Sequence, residues 1–91
     1  MKATVILNPA SGRGRGKKIL PTLERILLAS NLDFILLQSE RPWHTADLAE
    51  LAARDGCEAV ITAGGDGTAN EAINGLMRAQ ANGHDQTALG M

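Results

Sequence analysis

A chain of 91 residues, 44% hydrophobic and 21% charged, suffices for one small globular domain and excludes two. Its net charge of −1 predicts no polyanionic partner, so nucleic acid is not expected. A single cysteine excludes an internal disulfide and fits a reducing compartment, and with no signal-like start and no apolar run near the roughly 20 residues that span a bilayer, a cytoplasmic location is expected.

One Phe, one Trp and no Tyr predict a core built from Leu, Ile, Val and Ala. The run Ala3 to Leu7, ended by Asn8-Pro9, reads as a strand buried on both faces. Ser11-Gly12-Arg13-Gly14-Arg15-Gly16 reads as a flexible basic loop, and with Lys17 and Lys18 it holds four of the 9 basic residues. Ile19, Leu23, Ile26 and Leu27 then recur at helical spacing, with Pro21 either near the first turn or kinking the helix. Asp33 to Gln38 is the second strand, Ser39 to His44 a connection, and Thr45 to Arg54 a helix with Leu48, Leu51 and Ala52 on one face. Asp55-Gly56 ends that helix. Glu58 to Ala63 is the third strand and Gly64 to Gly67 a tight glycine turn. Ala69 to about Ala79 is the third helix, with Ala72, Ile73, Leu76 and Met77 turned inward. After the polar loop Asn82-Gly83-His84-Asp85 a fourth strand begins near Ala88, and the chain stops as it starts, which reads as a truncation.

The order β-α-β-α-β-α-β predicts an α/β fold: a three-layer, Rossmann-like parallel sheet with right-handed crossovers. Ligands of such sheets bind beyond the carboxyl ends of the strands, where both glycine-rich segments fall. Gly64-Gly65-Asp66-Gly67-Thr68 allows close backbone approach, and Thr68 with Glu71 three residues on forms a capping box. A helix N-terminus there suits a phosphate. Asp66 does not suit a bare anion cradle; it fits a metal-bound phosphate, a ribose hydroxyl or a reacting hydroxyl. The same residues could serve merely as a capped turn. The turn is neither a Walker A loop, lacking Gly-Lys-Ser/Thr, nor a Gly-x-Gly-x-x-Gly dinucleotide turn. Asn8-Pro9-Ala10-Ser11-Gly12 offers short polar groups and open backbone at the same edge. Ser39 also ends a strand there; His44 reads as a cap or surface residue, Cys57 as a small residue before a strand, and Trp43 as a cover at the sheet edge.

Asn8-Pro9-Ala10-Ser11-Gly12, Ser39-Glu40 before a His-x-Ala-like helix start, Gly64-Gly65-Asp66-Gly67-Thr68-x-Asn70-Glu71 and Asn74-Gly75-Leu76 together resemble the diacylglycerol kinase catalytic domain family, which includes bacterial lipid kinases and sphingosine kinases. The resemblance covers nearly the whole chain, and it implies the N-terminal domain of the NAD kinase/diacylglycerol kinase fold over residues 1–91, without its β-sandwich second domain. It implies ATP bound by Asn8, Pro9, Ala10, Ser11, Gly12, Ser39, Gly64, Gly65, Asp66, Gly67, Thr68, Ala69 and Asn70. Asp66 would be the catalytic residue of this part, handling ATP and magnesium. Further Mg2+ ligands and the general base would lie in the second domain, which would also face the lipid. The family usually has Thr where Ser39 stands, and Gly near Trp43. The expectation is a lipid kinase phosphorylating a hydroxyl such as that of diacylglycerol, with the 91-residue piece inactive alone, peripheral membrane contact for the full protein, and any homodimer a product of truncation. The alternatives are an NAD kinase-like enzyme or a non-catalytic nucleotide-binding or interaction module.

Overall fold

The computed structural model describes residues 2–9, 11–30, 33–41, 43–64, 66–84 and 87–90, and the side chains among them except at 11–17, 19 and 66. Its elements are β1 (Lys2–Leu7), α1 (Ser11–Ala29), β2 (Asp33–Gln38), α2 (His44–Arg54), β3 (Ala59–Ala63), α3 (Asp66–Ala81) and β4 (Ala88–Gly90). The four strands form one parallel sheet in the order β2-β1-β3-β4. This is the expected α/β alternation.

Burial follows position in the sheet. Central β1 is buried from Ala3 to Leu7, which is why its sequence runs apolar without alternating, whereas edge strand β2 is only part-buried. The register pairs Ile6 with Leu37 and Thr62, and Val60 with Leu89, so these side chains share a face. On that face Ile6 and Val60 pack with Ala49 and Ala52 of α2, Ala72 of α3 and Cys57, with Leu48, Leu76 and Leu89 around them. Connections through α2 and α3 run along the sheet in one direction and that through α1 in the other, so right-handed crossovers put α1 on the opposite face and give three layers.

Helices α2 and α3 cross closely because their facing residues are small. Thr45, Ala46, Ala49 and Ala53 are buried on α2; Thr68, Ala72, Gly75 and Ala79 are buried on α3. A Cβ at Gly75 would overlap the Ala46 carbonyl and stand 3.0 Å from the Ala49 Cβ. Both helices stop in the same way. Gly56 N–H donates to Ala53 O at 3.1 Å and Cys57 N–H to Ala52 O at 3.1 Å; Gly83 N–H donates to Gln80 O at 3.0 Å and His84 N–H to Ala79 O at 2.9 Å. Gly56 and Gly83 have φ of 82° and 89°, the left-handed turn this ending demands.

Several expectations need correction. Helix α1 begins at Ser11, so the segment read as a flexible loop is helical, and Pro21 lies well inside the helix. Pro21 cannot donate its backbone bond there, but the remaining turns carry the helix past it. Ile26 is exposed, while Leu27 is buried. On α2, Leu51 is exposed although Ala52 is buried. Helix α3 starts at Asp66 rather than near Ala69. Ile73 and Met77 are 41% and 61% exposed, because the close α2 crossing selects the small residues of α3 as its inner face.

The turn before α2 has an unusual backbone. Trp43 has φ 65° and ψ 0°, the left-handed region, makes no side-chain cap and is 56% exposed. A side chain in that conformation costs about 1 kcal/mol. Trp43→Gly in the full natural protein is therefore expected to raise stability by about 1 kcal/mol, read as a higher urea midpoint at unchanged slope.

Candidate functional site

The carboxyl ends of β1, β2 and β3 are tied together. Asn8 N–H donates to Ala63 O at 3.0 Å, and Ser39 N–H donates to Leu7 O at 2.9 Å. Asn8 Nδ2 reaches further and donates to Thr68 Oγ1 at 3.3 Å, linking the end of β1 to the first turn of α3. Thr68 is buried, and a Cβ at Gly64 would stand 2.5 Å from its Oγ1, so Gly64 is where the chain must be bare. Thr68 is therefore not the cap of a helix starting after it, as its spacing from Glu71 suggests. Its hydroxyl is taken up by Asn8, and Asp66 opens the helix two residues earlier.

Beside this junction is an open cavity of about 970 Å³. Asn8, Pro9 and Ser39 line it, with Leu36, Leu37 and Gln38 from β2, Glu40 and Arg41 from the following loop, His44, Thr45 and Leu48 from α2 and Glu71 from α3. Gly67, Ala69 and Asn70 line a second, shallower cleft of about 510 Å³ with Ile73. At Gly67 nothing lies within 4 Å of where a Cβ would be, so open space stands against the first turn of α3. Exposed backbone at the start of a 16-residue helix is the chemistry a phosphate needs.

Of the residues expected to bind nucleotide, Ala10 and Gly65 lie outside the described residues, as do Pro42 and Asp85 of the expected loops. Ser11 and Gly12 form the start of α1, and Asp66 the start of α3; their side chains are not among those described. Among the described residues no group of three or more His, Cys, Asp or Glu could hold a metal ion, and no helix is long and apolar enough to cross a membrane.

Sequence reasoning missed His44 and Glu71 as cavity residues. His44 accepts the Glu40 N–H at Nδ1, 2.8 Å away, and so folds the loop back on itself. Its spacing four residues after Glu40 was the available signal. Cys57, by contrast, is a buried structural thiol that donates to Ala59 O at 3.0 Å and lies 3.3 Å from Thr4 Oγ1.

An ion-pair chain runs over the outer side of α2 and α3. Arg41 meets Asp47 at 3.2 Å, Asp47 meets Arg78 at 3.4 Å, and Arg78 meets Glu50 at 3.4 Å. The hydrogen bond from Arg41 holds the Asp47 carboxyl below its ordinary value; slight desolvation opposes this, while the Arg41 charge and Arg78 add to it. A depressed folded value means that the stabilisation is present above the unfolded carboxylate range and lost as pH falls through the folded value. The pairs are solvent-screened, so the effect is small. Asp47→Asn is expected to flatten the acid limb of stability slightly, and 1 M salt to erase the difference, both read from urea midpoints between pH 3 and 7.

The chain has relatives in a known family. The diacylglycerol kinase catalytic domain profile matches residues 2–91, and the chain belongs to that family. Among curated relatives, it is 36% identical over 73 residues to sphingoid long chain base kinase 5 of Saccharomyces cerevisiae, covering 79% of this chain and 11% of that protein. It is 33% identical over 78 residues to the mitochondrial acylglycerol kinase of Homo sapiens, covering 85% of this chain and 18% of that protein. Among solved structures, a diacylglycerol kinase of Bacillus anthracis str. Sterne superposes with TM-score 0.62 and 28% identity, covering 85% of this chain and 26% of that one. Another chain from the same organism gives TM-score 0.71 at 27% identity over 85% of this chain and 28% of that one. The chain thus spans only a tenth to a fifth of the two curated relatives.

Proposed function

We propose that the chain is the ATP-binding part of a lipid kinase that transfers the γ-phosphoryl group to a lipid hydroxyl such as that of diacylglycerol. The observation that carries this is the Asn8–Thr68 tie, which sets the open first turn of α3 beside the large cavity at the carboxyl edge of the sheet. The first turn, with Gly67 bare, offers backbone N–H groups to the triphosphate. The cavity between β2 and α2 takes the nucleoside, with Ser39 and Asn8 on its rim. Asp66, opening α3, is the residue that would help hold a divalent cation, which when bound would supply charge neutralisation at the phosphates, and the group that takes the lipid proton would come from outside these 91 residues. The piece alone is then inactive, and the full protein meets its substrate by peripheral contact with a membrane.

This reading also rests on chemistry: phosphoryl transfer is positioning and charge neutralisation, which a rigid glycine turn on a helix start can supply. Gly67→Ala in the full natural protein is the direct test. A methyl group there fills the open space against the helix start while raising helix propensity. The expected result is ATP binding weakened about tenfold in calorimetry, with the unfolding midpoint unchanged or higher. Binding of ATP no tighter than adenosine by the wild-type protein would remove the triphosphate site. Phosphorylation of NAD in preference to lipid would replace the lipid acceptor.

A further inference from the structure

One wall of the large cavity between β2 and α2 is made by Ser39, Glu40 and Arg41 with His44 and Thr45 at the start of α2, and one side chain braces it. We propose that His44 is a positioning residue of the nucleotide site: its neutral imidazole holds Ser39, Glu40 and Arg41 against the start of α2 in the shape that grips ATP, and protonation breaks that hold. This inference rests on the ATP reading above.

The bond is specific about protonation. Glu40 N–H donates to His44 Nδ1 at 2.8 Å. Only an unprotonated Nδ1 can accept, so the ring proton sits on Nε2. A proton added at Nδ1 sets one donor against another, and the bond is lost.

The groups on both sides of that bond line the cavity: Ser39, Glu40 and Arg41 before it, His44 and Thr45 after it. Among the described residues two further contacts tie Arg41 to α2, the exposed Arg41–Asp47 pair at 3.2 Å and one backbone bond. His44 N–H donates to Arg41 O at 3.1 Å, and α2 begins at a left-handed Trp43 that supplies no side-chain cap. Breaking the imidazole bond therefore frees a cavity wall, not a remote surface.

The charges around the ring are Glu40 and Arg41 on its own loop, Asp47 one turn along α2, and Glu71 from α3 across the same cavity. Arg41 is held by Asp47 at 3.2 Å. None of these charges can restore an acceptor at Nδ1 once it carries a proton.

The test uses the full natural protein, as wild type, His44→Ala and His44→Asn. Asn offers Oδ1 close to where Nδ1 lies and does not titrate. His44→Ala is expected to raise KM for ATP about fivefold with kcat within about twofold, the effect of one hydrogen bond acting on binding. The wild-type KM is expected to rise on acidification in step with imidazole protonation. His44→Asn should keep KM near the neutral wild-type value and lose that acid-side rise. In 15N-resolved spectra the Glu40 amide is expected to shift as the wild-type imidazole titrates and to stay fixed in His44→Asn. A Glu40 amide indifferent to imidazole protonation would overturn the inference, as would a fall in kcat at unchanged KM. Should His44→Ala fail to fold, the Asn variant and the amide titration decide the matter. A wild-type protein without ATP-dependent turnover would sink the ATP reading instead, and the Glu40 amide would still decide what the imidazole does.

Discussion

Asp66→Ala in the full natural protein is expected to cut lipid phosphorylation by about a thousandfold, the size seen when one preorganised electrostatic group is removed from an active site. Asp66 is the first residue of α3, where unpaired N–H groups and the helix dipole favour anions. A carboxylate does not suit a bare anion cradle, so under the proposed function the value of Asp66 lies in the reaction, with a cation or a hydroxyl. An acidic residue in a first turn also steadies its helix, by about 0.5 kcal/mol. Asp66→Asn separates the two contributions: it keeps a polar side chain at the helix start and removes the charge. Both variants should lose phosphate incorporation into diacylglycerol vesicles, while the Asn variant loses no more than about 0.5 kcal/mol of stability, far too little to account for the lost turnover. Near wild-type turnover in either variant would deny Asp66 its role.

The second large effect concerns stability. Gly75→Ala is expected to destabilise the full protein by about 2 kcal/mol, although the same change in an ordinary helix interior stabilises by about 1 kcal/mol. The sign reverses because the new methyl group would meet the Ala46 carbonyl, backbone that cannot turn aside as a side chain can. Gly67→Ala is the matched control, in the same helix with nothing within 4 Å. The urea midpoint of Gly75→Ala should fall, while that of Gly67→Ala stays or rises. A stabilised Gly75→Ala protein would mean that α2 and α3 do not cross as closely as described.

The strands were legible because their signals are local. An unbroken apolar run marks a strand buried on both faces, and Ala3 to Leu7 is one. The positions of Asn8, Ser39 and Gly64 at one edge then follow from parallel alternation alone. Helix α1 was less legible: Gly12, Gly14 and Gly16 lower helix propensity, yet the helix runs through them from Ser11. The inner face of α3 was misread because large residues dominate any count of hydrophobicity, whereas a close helix crossing buries small ones. Ile73 and Met77 gave way to Gly75 and Ala79 for that reason, while Ala72 and Leu76 face the core as expected. The place of His44 could not be read at all from residue type, since it depends on a backbone N–H four residues away.

The crossing at Gly75 also acts as a gauge. One wall of the large cavity belongs to α2, and the open first turn at Gly67 belongs to α3. With Ala46 and Gly75 in backbone contact, the two helices cannot slide or part without breaking the core beneath them. Under the proposed function, the spacing from the cavity that takes the nucleoside to the helix start that takes the phosphates is thus set by the absence of a single methyl group. Lineages that enlarge either residue would change the length of ligand the site measures before they changed any group that touches it.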